Sequence, residues 1–152
     1  MPRLPILWPE GGPTFTYKGG CHCKKICFEF EHPDIYSMPA LECNCSICTS
    51  RGYIHVYTPQ DKFKLTKGTD DDLTTYTFAS HLVQHRFCAT CGSGIGVAIP
   101  CQGFVSINAR TLDGIELGRL QKILANGQNL TLSTPERWDE AMSSIHASST
   151  SS

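Results

Sequence analysis

Three short clusters, Cys21-His22-Cys23, Cys43-Asn44-Cys45-Ser46-Ile47-Cys48 and Cys88-Ala89-Thr90-Cys91-Gly92, hold seven of the nine cysteines of this 152-residue chain. A tetrahedral zinc with Zn–S bonds near 2.3 Å needs its sulfurs about 3.8 Å apart, and cysteines separated by one or two residues in a turn can supply that distance. Two such pairs close a site, whereas a triplet leaves one position open. Cys21, Cys23, Cys88 and Cys91 are therefore read as a structural zinc site, and Cys43, Cys45 and Cys48 as a second, catalytic zinc with three protein thiolates. Two zinc ions per chain are expected, with chemistry at the open position.

A disulfide framework is the rival reading. Nine is an odd number, and near neighbours in sequence are poorly placed to bridge across a fold. The first twenty residues place Pro2, Pro5, Pro9 and Pro13 around Leu4, Ile6, Leu7 and Trp8, with no continuous apolar stretch, and no later run is long enough to span a bilayer. The expectation is a reducing, cytoplasmic setting with no membrane partner, where thiols bind metal. A net charge of −1 with scattered Lys and Arg gives no field for a polyanion, so no nucleic-acid partner is expected either.

The elements that must position these thiols are mostly strands. Lys25 to Glu31 alternates with Ile26, Phe28 and Phe30 on one face, and Tyr53 to Tyr57 is rich in β-branched and aromatic residues. Further strand candidates are Thr14–Tyr17, Lys62–Leu65, Leu73–Phe78, Gln84–Phe87, Ile95–Ile99 and Phe104–Ile107, separated by Gly68, the Gly92-Ser93-Gly94 turn and Gly103. The pattern predicts a mainly β domain of short antiparallel strands, with a turn or short helix near Thr111–Leu120. A C-terminal helix is expected to open at Ser133-Thr134-Pro135-Glu136 and to bury Trp138 and Met142. The organisation expected is an N-terminal extension over 1–16, one zinc-binding domain over 17–146 and a small polar tail, disordered, over 147–152.

Gly19-Gly20-Cys21-His22-Cys23, then Cys43-Asn44-Cys45-Ser46-Ile47-Cys48, then Tyr76-Thr77-Phe78 leading to His85-Arg86-Phe87-Cys88-Ala89-Thr90-Cys91-Gly92, resembles the glutathione-dependent formaldehyde-activating enzyme family, which also contains centromere protein V. The likeness runs from about Tyr17 to Met142. It includes Phe63-Lys64-Leu65-Thr66-Lys67-Gly68 and Trp138-Asp139-Glu140-Ala141-Met142, the latter resembling the centromere protein V branch. The resemblance implies an Mss4-like zinc-bound β fold and a carbon–sulfur lyase that condenses formaldehyde with glutathione to S-hydroxymethylglutathione. It also implies the same division into a four-cysteine structural zinc and a Cys43, Cys45, Cys48 catalytic zinc. Lys24 stands where many members place a glycine, and Cys27 and Cys101 lie outside the ligand set.

Three thiolates on Zn²⁺ leave a net charge near −1. Such a metal is a modest Lewis acid but suits exchange of a soft fourth ligand, so a thiol held as thiolate, or released as a leaving group in C–S cleavage, fits the open position. A water or carbonyl oxygen there is the other possibility. His85, three residues before Cys88, is a candidate to bond a thiolate or carry a proton, whereas His55 alternates with Ile54 and Val56 as an ordinary strand histidine. Arg86 and Arg110 are candidates to hold a glutathione carboxylate. Two functions follow: an enzyme acting on a glutathione or other thiol adduct, or a non-catalytic zinc scaffold or binding module like centromere protein V.

Overall fold

The structure, a computed structural model, describes residues 4–126. The expected C-terminal helix with Trp138 and Met142, and the tail over 147–152, lie outside the described residues. Within them the chain is mainly β, as its alternation requires: β1 (Phe15–Gly20), β2 (Cys27–His32), β3 (Pro39–Cys43), β4 (His55–Pro59), β5 (Phe63–Lys67), β6 (Leu73–Tyr76), β7 (Gln84–Cys88), β8 (Gly94–Ile99), β9 (Phe104–Asn108) and β10 (Gln121–Ala125), with one six-residue helix, α1 (Ser46–Arg51). Short 3-10 turns at Ala109–Thr111 and Leu117–Arg119 occupy the region where a turn or helix was expected. Among the described residues no helix is long and apolar enough to cross a membrane.

β1, β2 and β5 form a three-stranded antiparallel sheet, and the other seven follow the order β10-β3-β4-β9-β8-β7-β6. One pairing departs from the antiparallel expectation: β10 runs parallel to β3, with Ile123 opposite Leu41 and Ala125 opposite Cys43. The long connection around the molecule permits this, since parallel strands cannot be joined by a hairpin. Phe28 and Phe30 of the small sheet pack with Ile54, just before β4, Val56 of β4, Ile95 of β8 and Ile107 of β9 in the main core. Each of the two phenylalanines is 1% exposed, a burial that stabilises by about 1.5–3 kcal/mol per ring.

β4 is buried on both faces, which decides where its histidine points. Ile54 and Val56 enter the main core, while Tyr57 joins a second cluster with Leu41, Met38, Val97, Ile99 and Phe104 on the opposite side. Leu4 and Ile6, in the segment read as an N-terminal extension, are buried in that second cluster. His55, on the Tyr57 face, is thereby turned toward the layer that holds α1.

Lys24 has φ +66, in the left-handed region that favours glycine, in a turn whose N–H donates to the Cys21 carbonyl. The cationic side chain is accommodated in the glycine-type turn rather than changing it. Relief of that strain outweighs the extra unfolded-state freedom of glycine only slightly, so Lys24→Gly is expected to stabilise by about 0.5 kcal/mol. Calorimetry should show the thermal midpoint rising by about 1–2 °C.

Candidate functional site

The four-cysteine cluster lies where the two sheets meet. Cys21 and Cys23 follow β1 in the turn to β2, while Cys88 ends β7 and Cys91 lies in the turn to β8. The Cys23 sulfur is 3.6 Å from that of Cys21 and 3.7 Å from that of Cys88, and all four sulfurs lie within 4.8 Å of one another. These separations match those around a tetrahedral metal with bonds near 2.3 Å.

Backbone N–H groups already serve the sulfurs: Ile26 donates to Cys21 at 3.3 Å, and Thr90 and Cys91 donate to Cys88 at 3.4 Å each. The Cys91 and Thr90 N–H groups pull the Cys88 thiol down, and the Ser93 hydroxyl and N–H pull Cys91 down to about 5. Such groups prepare thiolates for a cation. Two further bonds bind the turns together, His22 N–H to the Ser93 hydroxyl at 3.1 Å and Lys25 Nζ to Thr90 Oγ1 at 3.2 Å.

The triplet is built locally. β3 ends on Cys43, Cys45 is the N-cap of α1, and Cys48 lies in its first turn, so the three sulfurs converge within 4.8 Å. Gly52, at φ +66, ends the helix, and the Tyr53 N–H donates to the Cys48 carbonyl at 3.2 Å, turning the chain directly into β4. The three thiols cannot ionise independently. Hydrogen bonds from Cys43 and Cys48 push Cys45 down to about 2, and the same crowding followed by burial pushes Cys48 up. A divalent cation is the natural compensation that lets all three become thiolates.

His55 is the site residue that the sequence reading passed over. It is 4% exposed, and burial holds its pKa down to about 4, so the ring is neutral. The Ser106 hydroxyl bonds Nδ1 and the Cys48 sulfur lies 3.2 Å from Nε2. With the hydroxyl donating to Nδ1, the hydrogen sits on Nε2 and is donated to sulfur, an arrangement that orients Cys48 from behind. The alternation with Ile54 and Val56 was correctly read. The missing signal was that β4 is buried on both faces, so its second face meets α1 rather than solvent.

His85 belongs to the triplet side. Its ring is 3% exposed and stacks on Phe78 at 5.5 Å and Tyr53 at 6.3 Å, and its Nδ1 has no hydrogen-bond partner among the described residues. Burial, then the nearby Arg51 guanidinium, lowers its pKa. Arg86 alternates to the opposite face of β7 and pairs with Asp70 at 2.8 Å. Arg110 Nε donates to the Gly52 carbonyl at 2.9 Å, fastening the end of α1. Both arginines are thus engaged by the protein itself. Cys27 is half-buried with its sulfur 3.8 Å from the Lys24 carbonyl, and Cys101 is exposed; neither joins a cluster.

A mainly β domain with a closed four-cysteine cluster between its sheets and an incomplete three-cysteine cluster beside a short helix defines a metal-binding class of the Mss4-like kind. The chain belongs to the glutathione-dependent formaldehyde-activating enzyme family, whose pattern it matches over residues 16–124. It is also similar to a Rhodobacter sphaeroides protein of known crystal structure, at 28% identity and a TM-score of 0.60, over 69% of this chain and 98% of that one.

Proposed function

We propose that the protein is a zinc-dependent carbon–sulfur lyase acting on a thiol adduct, with S-hydroxymethylglutathione formation as the simplest case. The observation that carries this reading is the contrast between the two cysteine clusters: four thiols complete one metal site, and three converge at the other. In this reading Cys21, Cys23, Cys88 and Cys91 hold a structural zinc, and Cys43, Cys45 and Cys48 hold the catalytic one. Zinc in that setting supplies a place where a substrate sulfur is held as thiolate at neutral pH.

The chain's own residues do the rest. His55 fixes the direction of Cys48, and Tyr53, packed against Cys48 and with its own ring 1% exposed, walls the site from bulk water. Addition of a thiol to formaldehyde forms one S–C bond, and the thiol proton ends on the former carbonyl oxygen. Neutral His85, whose Nδ1 is unpartnered among the described residues, is the group assigned to carry that proton. The reverse reaction breaks the same bond and returns the proton.

Metal analysis of the purified protein should find two zinc ions, with one removed by mild chelation well before the other. Cobalt placed in the labile site should change its absorption spectrum when glutathione is added, through direct sulfur–metal contact. A single zinc whose count is unaffected by Cys43→Ser, or a cobalt spectrum indifferent to glutathione, would leave the non-catalytic scaffold as the better reading.

A further inference from the structure

We infer that Arg51 and the exposed Tyr76 and Phe78 rings form the recognition face of the triplet site, and that its ligand is a thiol adduct carrying both a carboxylate and a flat apolar group. The inference deepens the lyase reading and rests on it for the reacting sulfur. Its starting point is a cation without a counter-ion. Lys62, Lys64, Arg86 and Arg119 each pair with a carboxylate, and Arg110, which among the described residues has none, is engaged by the Gly52 carbonyl. Arg51, the last residue of α1 and three beyond Cys48, pairs with none among the described residues.

Arg51 is instead held by groups that leave its charge uncompensated. Its guanidinium lies 4.8 Å from the Phe87 ring centre and 6.0 Å from that of Tyr76, and Nη1 donates to the Tyr53 hydroxyl at 3.1 Å. Rings orient a guanidinium without satisfying its preference for a bidentate anion. A metal held by three thiolates carries a net charge near −1, which repels an anionic substrate. A fixed cation about one turn further along the same short helix offsets that repulsion.

The apolar half of the face is the Tyr76–Phe78 pair, 46% and 37% exposed, stacked at 5.7 Å with 23° between the planes. Two large rings side by side at the surface make an apolar face suited to stacking on a flat group. They are not isolated from the triplet: Phe78 stacks on His85, His85 on Tyr53, and Tyr53 packs on His55 at 5.3 Å, whose Nε2 meets Cys48. The column of rings therefore runs unbroken from a triplet sulfur to the surface.

The test uses thioethers that cannot react, S-benzylglutathione and S-methylglutathione, titrated calorimetrically into the metal-loaded full chain. The benzyl compound should bind at least about fivefold more tightly, the scale of one added aromatic contact. Phe78→Ala and Tyr76→Ala should each lower the benzyl compound's affinity more than the methyl compound's and so remove the preference, and Tyr76→Leu should keep part of it. Arg51→Gln should weaken both compounds about tenfold, with partial recovery in Arg51→Lys. Equal affinity for the two compounds in the unaltered protein, or unchanged binding in Arg51→Gln with both metals retained, would overturn the inference. If the preference appears but no adduct is turned over, the recognition face stands and the lyase reading falls. Turnover without the preference removes the face and spares the lyase.

Discussion

Cys45→Ser is expected to lower turnover of S-hydroxymethylglutathione by about a thousandfold or more, the scale on which loss of a central electrostatic group acts, while the domain stays folded. Two thiolates hold zinc poorly, so the metal and the open position disappear together. The fold has little reason to fail. The Cys45 side chain makes no capping bond to α1, the residue is half-buried, and helix and strand are fastened independently by the Arg110 bond to the Gly52 carbonyl. Metal analysis should fall from two zinc ions to one, with the thermal midpoint changed by no more than about 3 °C. Retention of both the second metal and the turnover in Cys45→Ser would exclude the triplet as the site of chemistry.

Cys88→Ser should do the reverse, and its effect should be seen in stability. Cys88 is fully buried at the end of β7, and its sulfur is 3.7 Å from that of Cys23, 65 residues away in sequence. The metal they share would join the three-stranded sheet to the seven-stranded one. A serine hydroxyl cannot replace the thiolate, and the remaining three sulfurs would face one another without full compensation. A structural zinc contributes folding free energy directly, on a scale comparable with the whole 5–15 kcal/mol stability of a domain. The expected result is a fall in midpoint of at least about 10 °C, or failure to fold at all, read by calorimetry or circular dichroism. An unchanged midpoint would show that the cluster is not a structural clamp.

Much of this was legible in the residues. Ligand spacing is a local property, so both cysteine clusters were visible before any strand was placed, and the alternation of Ile26, Phe28 and Phe30 located β2. β3 and β10 were not anticipated. Pro39-Ala40-Leu41-Glu42-Cys43 lacks period-two contrast because the strand lies inside the sheet, between β4 and β10, and Gln121–Ala125 is a short edge strand whose identity depends on a parallel partner far away in sequence.

Among the site residues, the arginines were the hardest to place. Nothing local distinguishes Arg51 from Arg86 or Arg110. What separates them is tertiary: Asp70 reaches Arg86, the Gly52 carbonyl reaches Arg110, and Arg51 is held by the Phe87 and Tyr76 rings and the Tyr53 hydroxyl. His55 escaped notice for the same kind of reason, since its partners Cys48 and Ser106 become neighbours only when α1 folds back on β4 and β9 pairs beside it.

The continuity of β3, α1 and β4 has a bearing on descent as well as on architecture. Residues 43–55 carry the three triplet sulfurs, the cation and the histidine behind Cys48 in one uninterrupted stretch, whereas the four-cysteine cluster draws on two segments 65 residues apart. Mutations in the short stretch can alter what is bound without touching the four cysteines between the sheets, and the long-range set can be held constant while lineages diverge in chemistry. A fold divided in this way can change its substrate, or lose its reaction and retain its shape, by exchanging the short segment that runs from the end of β3 through α1 to the start of β4.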